Sequence, residues 1–131
     1  MHQPDRTDGI DVLAKVGGFD LGGMAGVFLG GAAKKIPVII DGFISAAAAL
    51  LAATICPEVK SYMLASHLSK EPAMQMILEA LGKKPLITCE MCLGEGTGAV
   101  AIFPLLQMAE DVYKKMSTFG EISIESYKEL K

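Results

Sequence analysis

The chain has 131 residues, with 12 Lys+Arg against 15 Asp+Glu and a formal net charge of −3. That length suits about one domain, and the slightly acidic balance excludes the basic footprint of a nucleic-acid-binding protein. The longest apolar run, residues 43–56, is shorter than the roughly 20 residues needed to span a bilayer. The polar N-terminus has no signal-peptide hydrophobic region, and an odd cysteine count of 3 favours reduced thiols. We therefore expect a cytoplasmic protein.

The first segment predicts two helices. A short helix runs to Lys15 from a cap at Asp8 or Asp11 and stops at the glycine pair that begins with Gly17. Residues 19–35 have apolar side chains at helical spacing and end in two lysines, which suit a helix C-terminus. The many glycines of this second helix indicate close approach by another element or by a ligand.

A buried strand and a buried helix come next. Residues 36–40, "IPVII", are a continuous apolar run, as expected for a parallel sheet that is covered on both faces. Residues 43–56 predict a helix that is apolar on almost every side and therefore buried all round, and Pro57 stops it.

The remainder predicts two more strands and two helical segments. Strands are expected over residues 61–69 and 85–93, with a helix over 71–81 between them. A last helix is expected over 97–116, where Pro104 must bend it or begin a new segment.

Strands that alternate with helices predict an α/β fold. We expect part of a doubly wound, Rossmann-like parallel sheet flanked by helices, with about three strands in a single domain over residues 1–131. Residues 1–8 are interpreted as a leader with little structure and residues 120–131 as a polar tail.

Polar side chains follow all three predicted strands. They are Asp41 after the first, His67 and Ser69 at the end of the second, and Glu95 after the third. Because ligands of open α/β sheets gather at the carboxyl ends of the strands, this convergence is a site hypothesis.

The glycine-rich stretch "CLGEGTGAV", residues 92–100, surrounds one carboxylate with glycines. It does not match the dinucleotide fingerprint GxGxxG, and it lacks the Lys-Ser/Thr pair of a P-loop. Either it is a tight turn with Glu95 in solvent, or its glycines let the backbone approach a planar substrate while Glu95 points at that substrate. The pattern alone leaves both interpretations open.

The other polar positions also have two interpretations. Asp41 after a strand could bind sugar hydroxyls or cap the next helix, and His67 is more simply a satisfied, half-buried histidine. Cys89 and Cys92 form a lone CxxC, and zinc would need two further ligands, for which Cys56 and His67 are the candidates. A metal or redox protein is thus the least favoured hypothesis.

Three motifs together resemble a known family. They are "KVGGFDLGGMAGVFLGGAAKKIPVIIDGFISAAAALLA", "SHLSKE" and "LGEGTGAVAIFPLLQMA", in that order. Over residues 4–119 the chain resembles the nicotinate-nucleotide–dimethylbenzimidazole phosphoribosyltransferases of cobalamin biosynthesis. The resemblance implies transfer of phosphoribose from nicotinate mononucleotide to 5,6-dimethylbenzimidazole, giving nicotinate and α-ribazole 5′-phosphate with inversion at the anomeric carbon. The pyridinium leaves as a neutral group, so the reaction implies no metal or cofactor.

The resemblance also implies roles for residues. Glu95 is implied as the general base, and Asp41, Gly42 and Ser69 as contacts for the ribose phosphate moiety. Met91 and Leu93 are implied to line the base pocket, where Gly94 and Gly96 leave room for the flat heterocycle. Similar enzymes often have Arg where this chain has Cys92, which is a departure from the family pattern.

Only the C-terminal part of the family is matched, so we expect a fragment or one piece of a split enzyme. The small-molecule substrates are its expected partners. The alternative is a catalytically inactive binding or assembly module that needs the missing N-terminal half. Apolar surface on residues 17–31 and 43–56 predicts self-association, with a homodimer as the expected form.

Overall fold

The alternation of helices and strands expected from the sequence is present in the structure, a computed structural model that describes residues 2–125. The elements in that range are α1 (Gly9–Val16), α2 (Phe19–Ala33), β1 (Val38–Ile40), α3 (Phe43–Ile55), a 3₁₀ helix (Pro57–Tyr62), β2 (Met63–Ala65), α4 (Met74–Leu81), α5 (Thr97–Ala101) and α6 (Phe103–Lys115). The end of the predicted polar tail, residues 126–131, lies outside the described residues.

The two strands form a parallel pair, and α3 is part of the crossover that joins them. The paired residues are Val38 with Met63, Ile39 with Leu64 and Ile40 with Ala65. A parallel pair requires such a crossover, so the predicted α/β class with a parallel sheet is confirmed.

The third predicted strand, over residues 85–93, is wrong in its extent. Ile87 forms one isolated parallel bridge with His67, and its backbone N–H donates to the carbonyl oxygen of Ser66 at 3.0 Å. Beyond that bridge the segment from 88 to 93 is irregular. Glu90 has a φ of 51°, a left-handed conformation that an extended strand does not allow. The pairing therefore stops at Ile87.

Helix α3 lies at the centre of the core because alanines on it allow its neighbours to approach closely. It packs against α1, α2 and α4. Its fully or nearly fully buried side chains are Ala46, Ala48, Ala49, Ala52 and Ala53. Burial is not complete all round, since Ile44 in the first turn is 59% exposed. The prediction of a helix is confirmed, and the prediction of burial on every side is wrong for its first turn.

Local signals set most of the helix ends. Asp8 caps α1, since its Oδ1 accepts from the backbone N–H of Ile10 at 2.9 Å, and Gly82 ends α4 with a φ of 67°. Helix α4 begins at Met74, later than predicted, because the preceding residues form turns. Pro104 lies in the first turn of α6. Of the two outcomes expected for this proline, a bend or a new segment, the structure shows the new segment.

Helix α6 differs from the others because none of its residues is buried. Its apolar side chains and the segment that follows surround a groove of about 910 Å³, lined by residues that include Met108, Val112, Tyr113, Met116, Phe119 and Ile122. Across residues 2–125, no helix combines the length and the apolar character needed to cross a membrane.

The close packing of α3 leads to a stability prediction. Ala49 is 0% exposed, so Ala49→Leu should lower the free energy of unfolding by about 1–3 kcal/mol through overpacking. Urea unfolding followed by circular dichroism measures the change. On the same helix the exposed Ile44→Ala is the matched control, with an expected change below about 0.5 kcal/mol. Equal effects of the two variants would contradict the assignment of α3 to the core.

Candidate active site

The chain segments after β1 and β2 meet the glycine-rich loop around one cavity. The cavity has a volume of about 490 Å³ and is lined by residues of 41–45, by residues of 67–71 and by the loop 92–96. The convergence of polar strand ends predicted from the sequence is therefore present. The glycine-rich loop reaches the cavity although the segment before it is not a strand.

Most of the predicted site residues lie on this cavity. Those on its lining are Asp41, Gly42, Ser69, Leu93, Gly94, Glu95 and Gly96. Met91 is not on the lining, and its backbone carbonyl instead accepts from the N–H of Lys70 at 3.4 Å. Cys92 lies on the lining as well, so the position that departs from the family pattern faces the same space.

Asp41 binds the glycine-rich loop through both oxygens of its carboxylate. Oδ2 accepts from the backbone N–H of Gly96 at 3.1 Å, and Oδ1 accepts from that of Ala99 at 2.8 Å. These amides belong to the first turn of α5, whose N-cap residue Gly96 has no side chain. Asp41 therefore acts as the N-cap side chain of α5, because it accepts hydrogen bonds from the amides at the start of that helix. It does so although α5 is distant from Asp41 in the sequence.

The helix that directly follows Asp41 is capped by another residue. Ser45 Oγ accepts from the backbone N–H of Asp41 at 3.0 Å and of Gly42 at 3.1 Å. The Asp41 carboxylate binds the start of α5 instead. The sequence offered Asp41 as a cap for the next helix, α3. In the structure it caps α5.

The loop holds Glu95 in a backbone conformation that is unfavourable for a side chain. The φ angles are 73° at Gly94, 60° at Glu95 and 79° at Gly96. A left-handed conformation costs a residue other than glycine about 1–2 kcal/mol. Thr97 stabilises the turn, because its Oγ1 donates to the carbonyl oxygen of Gly94 at 2.7 Å. Glu95, in this turn, is exposed and lines the cavity.

A buried serine–histidine pair lies behind the Asp41 carboxylate. Ser66 is 0% and His67 2% exposed. Ser66 Oγ donates to the carbonyl oxygen of Asp41 at 2.8 Å and lies 3.0 Å from His67 Nδ1. Ser66 therefore links the backbone of Asp41 to the imidazole ring of His67.

Gly98 allows the backbone of α5 to pack closely against His67 and Asp41. A Cβ atom at that position would lie 2.0 Å from His67 Nδ1 and 2.9 Å from Asp41 Oδ1. Neither distance is compatible with van der Waals packing, so the backbone of α5 can approach both residues only where there is no side chain.

The charge of the cavity is negative. Its lining carries the carboxylates of Asp41, Glu71 and Glu95. The hydroxyl of Ser69, also on the lining, donates to a carboxylate oxygen of Glu71. No Lys or Arg is found among the described residues that line the cavity. Such a cavity favours hydrogen-bond donors and cationic or neutral groups over anions.

Among the described residues, the cysteines form no cluster with other metal ligands. All three are free thiols, and Cys89 and Cys92 are exposed. Within residues 2–125 no group of three or more His, Cys, Asp or Glu side chains is arranged to hold a metal ion.

Several residues at the site, Glu71 and Ser66 among them, were not predicted from the sequence. Glu71 and Ser66 contact predicted residues, yet each was passed over as flanking sequence. The signal that could have found both is their position in "ASHLSKE", directly after a strand end that already carried His67 and Ser69.

Comparison with known proteins identifies the family of the chain. A family model described as Phosphoribosyltransferase matches residues 1–124, and the chain belongs to this family. The resemblance to the nicotinate-nucleotide–dimethylbenzimidazole phosphoribosyltransferases is confirmed by relatives that carry this name.

One such relative, from Desulforamulus reducens, is 51% identical over 124 residues, which cover 95% of this chain and 35% of the relative. Another, from Chloroflexus aggregans, is 52% identical over 129 residues, 98% of this chain and 36% of the relative. The crystal structure of the Thermus thermophilus enzyme of the same name superposes with a TM-score of 0.85 at 41% identity, over 92% of this chain and 36% of that one. The chain therefore spans little more than a third of the length of these relatives.

The packing of Gly98 generates a prediction. Gly98→Ala should lower the free energy of unfolding by about 1–3 kcal/mol and shift the amide resonances of Gly96 and Ala99, because α5 must move away from His67. Chemical denaturation and two-dimensional NMR measure the two effects.

Gly23→Ala is the matched control, because Gly23 also lies in a helix and a Cβ there meets nothing within 4 Å. It should stabilise the chain by up to about 1 kcal/mol through helix propensity. The account of Gly98 fails if its variant is as stable as this control.

Proposed function

We propose that this chain supplies the base-bearing part of a site that transfers phosphoribose from nicotinate mononucleotide to 5,6-dimethylbenzimidazole, within a domain formed by residues 1–131. The observation that carries the proposal is the position of Glu95, which lines the cavity on a loop bound by Asp41. The names of the relatives agree with this reaction.

The chemistry gives Glu95 its role. One ring nitrogen of the benzimidazole attacks the anomeric carbon of the ribose while the bond to the pyridinium nitrogen breaks, and nicotinate leaves. The other ring nitrogen must lose its proton as the new bond forms. A carboxylate within hydrogen-bond reach accepts that proton, and general base catalysis of this kind contributes typically ~10²–10⁴-fold.

The lining divides into two parts in this proposal. Leu93, Gly94 and Gly96 form the wall for the flat benzimidazole, because glycines allow it to lie close to the backbone. Asp41, Gly42 and Ser69 line the same cavity, and in this proposal they contact the ribose phosphate moiety through its sugar. Met91 shapes the wall through its backbone, since it is not itself on the cavity.

The negative lining argues against binding the phosphate group beside these carboxylates. The hydroxyl hydrogen of Ser69 already bonds to Glu71, so Ser69 offers an incoming ligand only its oxygen lone pairs. We therefore place the sugar hydroxyls next to Ser69 and the phosphate farther from the three carboxylates.

For the assembly we propose a cytoplasmic protein that self-associates, with a homodimer as the simplest form. Large apolar side chains that favour association are exposed, including Phe19, Val27, Ile44, Met108, Tyr113 and Met116. The same exposure favours the second candidate function, a catalytically inactive module that binds a partner through an apolar surface.

Light scattering tests the association. A concentration-dependent mass above that of one 13.8 kDa chain is expected, because isolated apolar surface of this extent is unfavourable in water. A monodisperse monomer would refute the self-association and weaken the second candidate function.

Substitution of Glu95 tests the proposed chemistry. Turnover of nicotinate mononucleotide and dimethylbenzimidazole should fall at least about 10²-fold in Glu95→Gln, because the amide cannot accept the proton. The assay uses the chain alone and a chimera in which it replaces the matched segment of the Thermus thermophilus relative. Turnover by the chimera but not by the chain alone would show that the chain needs the rest of the enzyme.

Glu90→Gln is the matched control. Glu90 is also an exposed loop glutamate with a positive φ of 51°, but it pairs with Lys70 at 3.2 Å and does not line the cavity. It should keep wild-type turnover. Near wild-type activity of Glu95→Gln in an active chimera would contradict the assignment of Glu95 as the base.

A further inference from the structure

The two nitrogens of His67 have different surroundings. Ser66 Oγ carries one hydrogen, and it donates that hydrogen to the carbonyl oxygen of Asp41 at 2.8 Å. With that hydrogen directed at Asp41, the 3.0 Å contact between Ser66 Oγ and His67 Nδ1 is assigned as a bond in which Nδ1–H donates to the hydroxyl oxygen. In an imidazole with one ring hydrogen, this arrangement places that hydrogen on Nδ1 and leaves a lone pair on Nε2.

The other ring nitrogen of His67, Nε2, is not fully enclosed by protein atoms. His67 lines the cavity although it is 2% exposed, and its one hydrogen bond in the described structure is the bond to Ser66. Across the described residues, no completely buried side-chain nitrogen or oxygen lacks a hydrogen-bond partner. Nε2 thus retains some accessible surface, and the cavity is the open space that His67 lines.

The surroundings of Nε2 select the kind of group that it would bind. The cavity carries the carboxylates of Asp41, Glu71 and Glu95, which are also acceptors. Since Nε2 and the three carboxylates all accept hydrogen bonds, a ligand that contacts them must carry several hydrogen-bond donors. A sugar with free hydroxyls is such a ligand. A phosphate group offers acceptors and is repelled by the carboxylates.

We propose that His67 is a substrate-positioning residue that accepts a hydrogen bond through Nε2 from a ribose hydroxyl of the bound nucleotide. Its Nδ1–H fixes the ring against Ser66, and Ser66 in turn holds the backbone of Asp41. The ring therefore presents Nε2 in a fixed orientation. This inference rests on the proposed function, because it takes the nucleotide as the ligand.

A matched pair of variants separates the two nitrogens. In His67→Asn the side-chain amide can still donate to Ser66 from the position of Nδ1, but nothing replaces Nε2. In His67→Gln the longer side chain places an amide oxygen near the position of Nε2 and loses the donor to Ser66. Long-range ¹H–¹⁵N spectra of the wild-type chain provide an independent readout, in which Nδ1 is expected as the protonated nitrogen and Nε2 as the unprotonated one.

Calorimetric titration with nicotinate mononucleotide and with its 2′-deoxy and 3′-deoxy analogues measures the contact, in the chain and in the chimera. His67→Asn should weaken binding of the nucleotide about tenfold, the effect of losing one hydrogen bond, and His67→Gln should recover part of that loss. One deoxy analogue should bind the wild type about tenfold more weakly than the nucleotide but bind His67→Asn as the nucleotide does. Binding of dimethylbenzimidazole, which has no sugar, should not change.

The failures of the two proposals are distinct. Wild-type affinity in His67→Asn, equal losses for the nucleotide and both deoxy analogues, or a proton found on Nε2 would each overturn the role of His67 alone. A wild-type chain and chimera that both fail to bind the nucleotide would overturn the proposed function and this inference with it.

Discussion

The hydrogen bonds from Gly96 and Ala99 to Asp41 hold the site together. They join the end of β1 to the first turn of α5 across 55 and 58 residues of sequence. Without them, two backbone amides at the start of a short helix would lack a partner, and such a helix does not form alone. Because Glu95 directly precedes this turn in an unfavourable backbone conformation, its position depends on the same two bonds.

The elements set by local chemistry were predictable from the sequence. The apolar, alanine-rich run of α3 requires burial, Asp8 is a preferred cap, and Gly82 is a preferred helix stop. The strand expected over 85–93 fails for the opposite reason. Its apolar residues suit a strand, but the length of a strand depends on a distant pairing partner, and pairing stops at the bridge between His67 and Ile87.

In the site, too, features set by nearby residues were predictable from the sequence, and contacts between distant residues were not. The strand-end rule and the glycine-rich motif placed Asp41, Ser69 and Glu95 around one cavity, as the structure has them. No local pattern reveals that the Asp41 carboxylate binds amides near residue 98, or that Gly98 must lack a side chain because His67 lies against it. Family resemblance placed Met91 on the pocket, and in the structure it lies off the lining, next to Glu90 with its positive φ.

Amide hydrogen exchange of Asp41→Asn tests this account most directly. An asparagine amide keeps one acceptor and turns a donor toward the second N–H, so exchange at Gly96 and Ala99 should accelerate at least about tenfold, as expected when a hydrogen bond is lost. The amide of Ser66, which donates to Ile40 in the sheet at 3.0 Å, should keep its protection. Unchanged protection at Gly96 and Ala99 would contradict the claim that Asp41 holds the loop that presents Glu95.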